Sequence, residues 1–562
     1  MLALPVRERH VRRFTSADFR REDAPLLPSG VPATLRDVQL DALSELAECR
    51  GGYFPIDVGE GKTLVSFLGG RVLGCRRTIL IVPSSLRGKT SQDHATWSRY
   101  FQLSEGLRII GSAEVQIMSG THILEQLVRG FRDEEVFVFV DEAHEFKNFT
   151  AARTKRLMWF AAAHPRIAFA CASGTPTKRK VSEFAHLAEL CLRERSPVPR
   201  DKGHLAAWGQ CIDVSGRPGD SDWHVVDPLA RWAGESLQGT TAEKQTAARR
   251  AFQRRFSTAP GVVRSLIATP VGAALRIHWE VPAVPAEVVE ALRKVQAGQS
   301  LAGPDVYASD ALQAMDERRV SLGFYYVWNW AKVGRTHPDH EWLQARKAWH
   351  AEARGELERR AEQEYDSEAW IAQACESGKA PPALAAAWFR WKAVRERYDV
   401  DKMRESRWIS RYLVDKAVAW FHKQPGFCIL WYQDKAVEQV LREVGLEVRG
   451  AGSQIDEERP EKIAAAIKVH GTGRNLQRWS RMAYLGVSAS GELWHQSLAR
   501  LHRPGQLADV VSATVYVPTQ SVLDAIDKAF LDAKYARDTL QTPHKLLLAD
   551  FESELPRRAS LP

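Results

Sequence analysis

The chain has 562 residues, 44% of them hydrophobic, and carries a formal net charge of +9 with a pI near 9.1. That length exceeds what one hydrophobic core fills and points to two to four domains; no stretch approaches the roughly 20 apolar residues of a membrane span, and the N-terminal residues lack the apolar run of a secretory signal. Seven scattered cysteines without a C-x-x-C pair imply neither a disulfide framework nor a zinc site and fit a reducing cytoplasm, while the basic balance suits a polyanion such as nucleic acid or simply a soluble basic surface.

Residues 1–30 are charged and punctuated by proline, and they read as an arm. Residues 35–43 have helical apolar spacing and contain Gln39, whose amide offers a donor and an acceptor matched to the edge of adenine, although the segment by itself reads first as a solvated helix. An apolar run at 52–57 then leads into Val58-Gly59-Glu60-Gly61-Lys62-Thr63, followed by the helix-like 64–68. Strand, glycine turn with Lys-Thr, and helix make a phosphate cradle. Gly59 and Gly61 let backbone N–H groups turn toward a phosphate, and the new helix adds the positive end of its dipole. Lys62 has the reach for the β- and γ-phosphates, and the Thr63 hydroxyl is placed to ligate Mg²⁺. The first glycine of G-x-x-x-x-G-K-[ST] is missing, with Ile56 in its place.

Further apolar runs at 78–83, 115–118, 136–140 and 166–170 alternate with helical segments, the pattern of a parallel sheet covered on both faces. Ligand groups then gather at the carboxyl ends of the strands. Asp141-Glu142-Ala143-His144 directly follows the run ending at Val140. Asp141 there is suited to hold Mg²⁺ and Glu142 to polarise a water that attacks a γ-phosphate. Ser173-Gly174-Thr175-Pro176 closes the next strand, with small hydroxyl residues placed to sense the acidic pair. Lys178, Arg179 and Lys180 follow, facing either a phosphate backbone or solvent.

Together, Gln39, the GEGKT loop, the DEAH tetrad and the SGTP turn resemble the first-lobe motifs of superfamily-two helicases and translocases. The string Asp141 through Asn148, with Gly-Thr-Pro in the later turn, is similar to the Swi/Snf branch in a short, bacterial or phage type. The resemblance implies that Pro83 and Ser84 contact a nucleic-acid backbone. It is loose between about 195 and 400.

Residues 209–240 read as loop, and Arg249, Arg250, Arg254 and Arg255 form a basic helical face, phosphate-binding or solvated. After a strand-like 274–279 comes a mostly helical stretch dense in tryptophan, among them Trp328, Trp330, Trp342, Trp349, Trp370, Trp388 and Trp391. Their helical spacing favours core packing over base stacking. A helix around 402–422 and strand-like runs at 427–432, 467–469, 482–487 and 510–517 repeat the α/β alternation. On this second sheet, Gly471-Thr472-Gly473-Arg474-Asn475 resembles the family motif that couples the ATP cleft to nucleic acid. Gln496 through Gln506 resembles its Q-x-x-x-R-x-x-R-x-G-Q pattern. Positions 496, 500 and 503 share a helical face by their spacing. Arg500 and Arg503 are expected as arginine fingers on the γ-phosphate, with Gln496 beside them.

The expected fold is therefore α/β: an arm (1–30), a first RecA-like lobe (31–265), a mostly helical insertion (266–400), a second RecA-like lobe (401–545) and a tail (546–562), the chain after 518 being helical and charged and ending in frayed polar residues. The expected activity is nucleic-acid-dependent ATP hydrolysis with Mg²⁺, driving translocation along DNA, favoured over RNA and duplex rather than single-stranded. No membrane is expected, and a monomer in a bacterial or phage-infected cytoplasm, targeted by the insert or by a protein partner. An RNA helicase and a nucleotide-gated scaffold without motor output are the alternatives.

Overall fold

A computed structural model describes residues 5–8, 12–116, 122–149, 151–174, 177, 179–265, 271–301, 310–359, 368–378, 380–450, 453, 455, 461–471 and 475–562. The chain divides into two compact units. The first comprises Met1–Val271, Ser490–Ala499 and Ala529–Leu548; the second comprises Gly272–Ala489, Arg500–Lys528 and Ala549–Pro562. Each unit is α/β and is built on a parallel sheet. Among the described residues, no helix is long and apolar enough to cross a membrane.

The first unit carries five strands: β1 (Gly52–Phe54), β2 (Arg77–Val82), β3 (Leu107–Gly111), β4 (Val136–Val140) and β5 (Ala168–Ala172), in the order β1-β5-β4-β2-β3. All five residues of β4 are buried, because both faces of the sheet are covered. The period of two sorts them. Phe137 and Phe139 pack with Leu43, Leu46, Phe67 and Leu68 of the helices Asp37–Cys49 and Lys62–Val72. Val136, Val138 and Val140 face the opposite layer, where Phe184, Leu187, Phe252 and Phe256 lie on the helices Ser182–Leu192 and Thr241–Ser257.

Several local elements differ from the pattern of the sequence or add to it. Residues 114–116 form a 3-10 turn rather than a strand, the strand being β3, and residues 117 and 118 lie outside the described set. The arm is docked: Phe19 is buried, and Arg7 and Arg12 pair with Glu45, Glu48, Asp37 and Asp41 along the helix Asp37–Cys49. The stretch read as loop holds the helix Asp227–Ala233 and the end of Lys202–Ile212. The basic face is split: Arg250 and Arg254 are exposed, Arg249 is half-buried and Arg255 is buried. Arg249 Nε donates to Ile212 O, Arg254 to Ala233 O, and the fully buried Arg255 lies over the Trp232 ring.

The second unit carries a seven-stranded sheet and a separate ribbon. Its strands are β6 (Ala274–Glu280), β7 (Phe324–Trp328), β8 (Arg404–Trp408), β9 (Cys428–Tyr432), β10 (Val448–Arg449), β11 (Lys462–Ala466), β12 (Arg481–Leu485), β13 (Val510–Tyr516) and β14 (Asp550–Phe551). The parallel sheet has the order β10-β11-β9-β12-β13-β6-β14, and β7 and β8 pair antiparallel as the ribbon. The insertion is thus narrower than 266–400. β6 belongs to the main sheet, hydrogen-bonded along its length to β13, and the tryptophan-rich helices lie between β7 and β8.

Of those tryptophans, Trp330, Trp342, Trp349 and Trp388 are buried in the insert's own cores, with Trp328 and Trp391 packed against them. Trp342 packs against Trp391 at 5.2 Å between ring centroids, and Trp349 against Trp388 at 4.9 Å, with Trp342 and Trp349 fully buried. Residues 467–470 are a helical turn, the strand being the adjacent β11. The tail is not frayed: Phe551 pairs with Ile277 across β14 and β6 and stacks on Trp279.

Candidate active site

The chain leaves β1 and turns through 55–61 before the helix Lys62–Val72 begins, with Gly61 as its N-cap. Gly59 and Gly61 both have left-handed backbones, at φ of 91° and 76°. The left-handed backbone at Gly61 favours glycine, and a Cβ there would sit 2.3 Å from Gln39 Nε2 and displace that amide. In the first turn Leu64 N donates to Gly61 O at 3.0 Å, which leaves the N–H groups of Lys62 and Thr63 ahead of any intrahelical acceptor.

Side chains hold the loop from beneath. Gln39 Nε2 donates to Gly61 O at 2.9 Å, while Gln39 Oε1 accepts from Arg36 N. Both ends of the amide expected to read an adenine are engaged in positioning the loop. Arg36 donates to Gly59 O and to Glu60 Oε2 at 2.8 and 2.9 Å. Lys62 Nζ is buried against Ile56 O and Asp57 O. Gly174, after β5, packs so closely that a Cβ would lie 2.8 Å from Val58 Cγ2 and 3.4 Å from Lys62 Nζ.

The acidic pair meets the loop at the carboxyl end of β4. Thr63 Oγ1 lies 3.4 Å from Asp141 Oδ2. Burial, followed by the charge of Glu142, pushes the Asp141 carboxyl up to about 6, against the pull of Lys62. Glu142 has a left-handed backbone at φ 49°, a conformation that costs free energy outside glycine and is concentrated at functional sites.

Thr63 and Asp141 are hard oxygen donors, and a buried carboxyl whose pKa is raised in this way gains from a cation. Among the described residues no group of three or more His, Cys, Asp or Glu could hold a metal by itself. Two protein oxygens, with phosphate and water completing the shell, is how Mg²⁺ is usually held, so the residues fit it.

His144 sits between two carboxylates. Its Nε2 lies 3.0 Å from Glu492 Oε1, and its Nδ1 lies 3.4 Å from Glu142 Oε2 and 3.2 Å from Ser173 Oγ. Burial alone would lower its pKa, but the charge of Glu492 and the hydrogen bond to Glu142 outweigh it and raise the imidazole to about 10. Lys147 also pairs with Glu492, at 3.2 Å. Glu492 and Gln496 lie one turn apart on the helix Gly491–Leu501, with Gln496 buried. The same helix carries His495, whose Nε2 is 2.9 Å from Asp57 Oδ1. The roles of Arg36, Asp57, Glu492 and His495 were not read from sequence. A burial partner outside local periodicity leaves no pattern, although Asp57 at the loop entrance was a visible oddity.

Other expected residues lie elsewhere. Pro83 and Ser84 open the turn after β2, where Ser84 Oγ accepts from Ala113 N. Arg179 is turned to Asp532 instead of a polymer or solvent. Arg500 belongs to the second unit, is buried, and donates from Nε to Gly471 O at 3.1 Å. The shared face of 496, 500 and 503 is corrected: the helix stops at Leu501, so Arg503, just before Pro504, lies beyond it. Asn475 precedes β12, whereas Thr175, Pro176, Lys178, Thr472, Gly473 and Arg474 lie outside the described residues. No protein-family model matches the chain, and no curated protein matches its sequence.

Proposed function

We propose that the chain is an ATP-dependent DNA translocase of the superfamily-two, Swi/Snf-like kind, its two α/β units acting as RecA-like lobes. The observation that carries this is the meeting of Lys62 and Thr63, at the start of a glycine-capped helix, with Asp141 at the end of a parallel strand. That is the donor set a triphosphate with Mg²⁺ requires.

In this reading the loop amides and Lys62 bind the β- and γ-phosphates, and Arg36 and Gln39 keep the loop in shape. Thr63 and Asp141 would hold Mg²⁺, which neutralises phosphate charge when bound. Glu142 orients and polarises the attacking water, while the His144 imidazolium keeps the Glu142 carboxylate aimed. Arg500 and Arg503 are the candidates to meet charge developing on the γ-phosphate. The net charge of +9 supports a polyanionic track. The deciding experiment measures ATP hydrolysis alone and with duplex DNA, single-stranded DNA and RNA. Stimulation by duplex DNA, abolished in Lys62→Ala, is expected.

A further inference from the structure

The imidazole of His144 has an acceptor on each side. Its Nε2 lies 3.0 Å from Glu492 Oε1, and its Nδ1 lies 3.2 Å from Ser173 Oγ and 3.4 Å from Glu142 Oε2. A neutral ring carries one N–H, so a lone pair would then face one of the two carboxylates. Only the doubly protonated ring presents a donor to both. The three side chains are nearly buried, with 14% of His144, 12% of Glu142 and 10% of Glu492 exposed, so solvent screens their charges little.

Glu492 decides which form is present. Burial opposes a charged ring, and the charge of Glu492 is the largest influence against it, ahead of Glu142. Glu492 is itself held in place: its Oε2 pairs with Lys147 Nζ at 3.2 Å, and Gln496 Nε2 approaches its Oε1 at 3.5 Å. It stands in the first turn of the helix Gly491–Leu501, whose positive end favours an ionised carboxylate. The charged groups around the ring are therefore Glu142 from the end of β4 and Glu492 from this helix, with Lys147 behind Glu492, and Ser173 adds a hydroxyl from the end of β5. All of these residues belong to the first unit. Glu492 lies outside the Gln496–Gln506 pattern and belongs to none of the motifs that mark the ATP site.

We propose that Glu492 is a positioning residue for Glu142, acting through His144: its carboxylate keeps the ring doubly protonated, so that an N–H and not a lone pair is turned to Glu142. The inference rests on the ATP-hydrolysis reading for the task of Glu142, and on the contacts of His144 for the role of Glu492.

The test compares the full chain with Glu492→Gln, which keeps the shape and an acceptor for Nε2–H but removes the charge, and with Glu492→Asp, which keeps the charge on a shorter stem. Folding is checked by circular dichroism. The His144 ring is titrated by NMR with isotope-labelled histidine, its signal assigned by its loss in His144→Gln, and kcat and KM for ATP are measured at pH 6 and pH 9. In Glu492→Gln the ring is expected to titrate between about 7 and 8 instead of about 10. Turnover then stays within about twofold of wild type at pH 6, where the ring is charged in both, and drops about tenfold at pH 9, where only the wild-type ring is charged, with KM for ATP nearly unchanged. Glu492→Asp keeps a raised pKa and most of the turnover at pH 9. An unchanged ring pKa in folded Glu492→Gln overturns the inference. So does a deficit equal at both pH values, which a merely structural ion pair would give, and so does a wild-type ring that titrates near the ordinary 6.5. Each of these leaves the ATP-hydrolysis reading intact. A wild type that hydrolyses no ATP overturns that reading and the role of Glu492 with it.

Discussion

The Nε2–H of His495 donates to Oδ1 of Asp57 at 2.9 Å, with both side chains buried. The tautomer follows from the other ring nitrogen, because His495 Nδ1 accepts from Lys545 N at 3.1 Å. Asp57 Oδ1 also accepts from Val58 N, and Asp57 N donates to Ser265 Oγ. A residue far along the sequence thus fixes the entrance of the phosphate loop.

His495→Ala removes the donor and leaves a buried carboxylate, a loss of about 3 kcal/mol in urea unfolding. Burial would raise the Asp57 pKa, but His495 and then Lys545 hold it below the usual carboxylate value. Its stabilisation is therefore complete above about pH 4 and is lost only as the pH falls through the lower folded value. His495→Ala removes this acid-side dependence.

His144 has the opposite sign. Its folded pKa of about 10 lies above the ordinary 6.5. The folded state binds its proton more tightly, so the contribution is full below 6.5 and disappears as the pH rises toward 10. Chemical denaturation from pH 6 to 10 is expected to show falling stability in the wild type and a flatter profile in His144→Gln.

Gly61→Ala tests the loop geometry. The positive φ costs about 1–2 kcal/mol, and the new Cβ displaces the Gln39 amide from 2.3 Å. ATP affinity, measured by calorimetry, is expected to fall at least about tenfold with little change in circular dichroism.

Lys62→Ala and Glu142→Gln separate binding from chemistry. Lys62→Ala is expected to lose both nucleotide binding and turnover. Glu142→Gln is expected to keep binding while kcat falls by at least about 100-fold, because it removes a base rather than a phosphate contact. Equal loss of binding in both would assign Glu142 a structural task.

Much of this centre was legible because its parts are local. A glycine pair before Lys-Thr, and two carboxylates ending an apolar strand, state their chemistry in a few consecutive residues. What escaped depends on distant chain. Helical spacing in 520–540 says nothing of which unit it joins, yet Asp532 pairs with Arg179 and Tyr535 with Asp213. Ile467-Lys468-Val469 is too short an apolar run for its period to tell strand from helix. The end of the helix at Leu501 did leave a signal, since Pro504 disfavours helical backbone at Arg503.

The central claim is that a triphosphate bound at Lys62, Thr63 and Asp141 is hydrolysed in response to DNA. The most direct measurement is steady-state ATP hydrolysis by the full chain with and without duplex DNA, beside single-stranded DNA and RNA. Turnover is expected to rise at least about tenfold with duplex DNA and to vanish in Lys62→Ala. Stronger stimulation by RNA would contradict the choice of polymer, and no turnover with any polymer would contradict the motor itself.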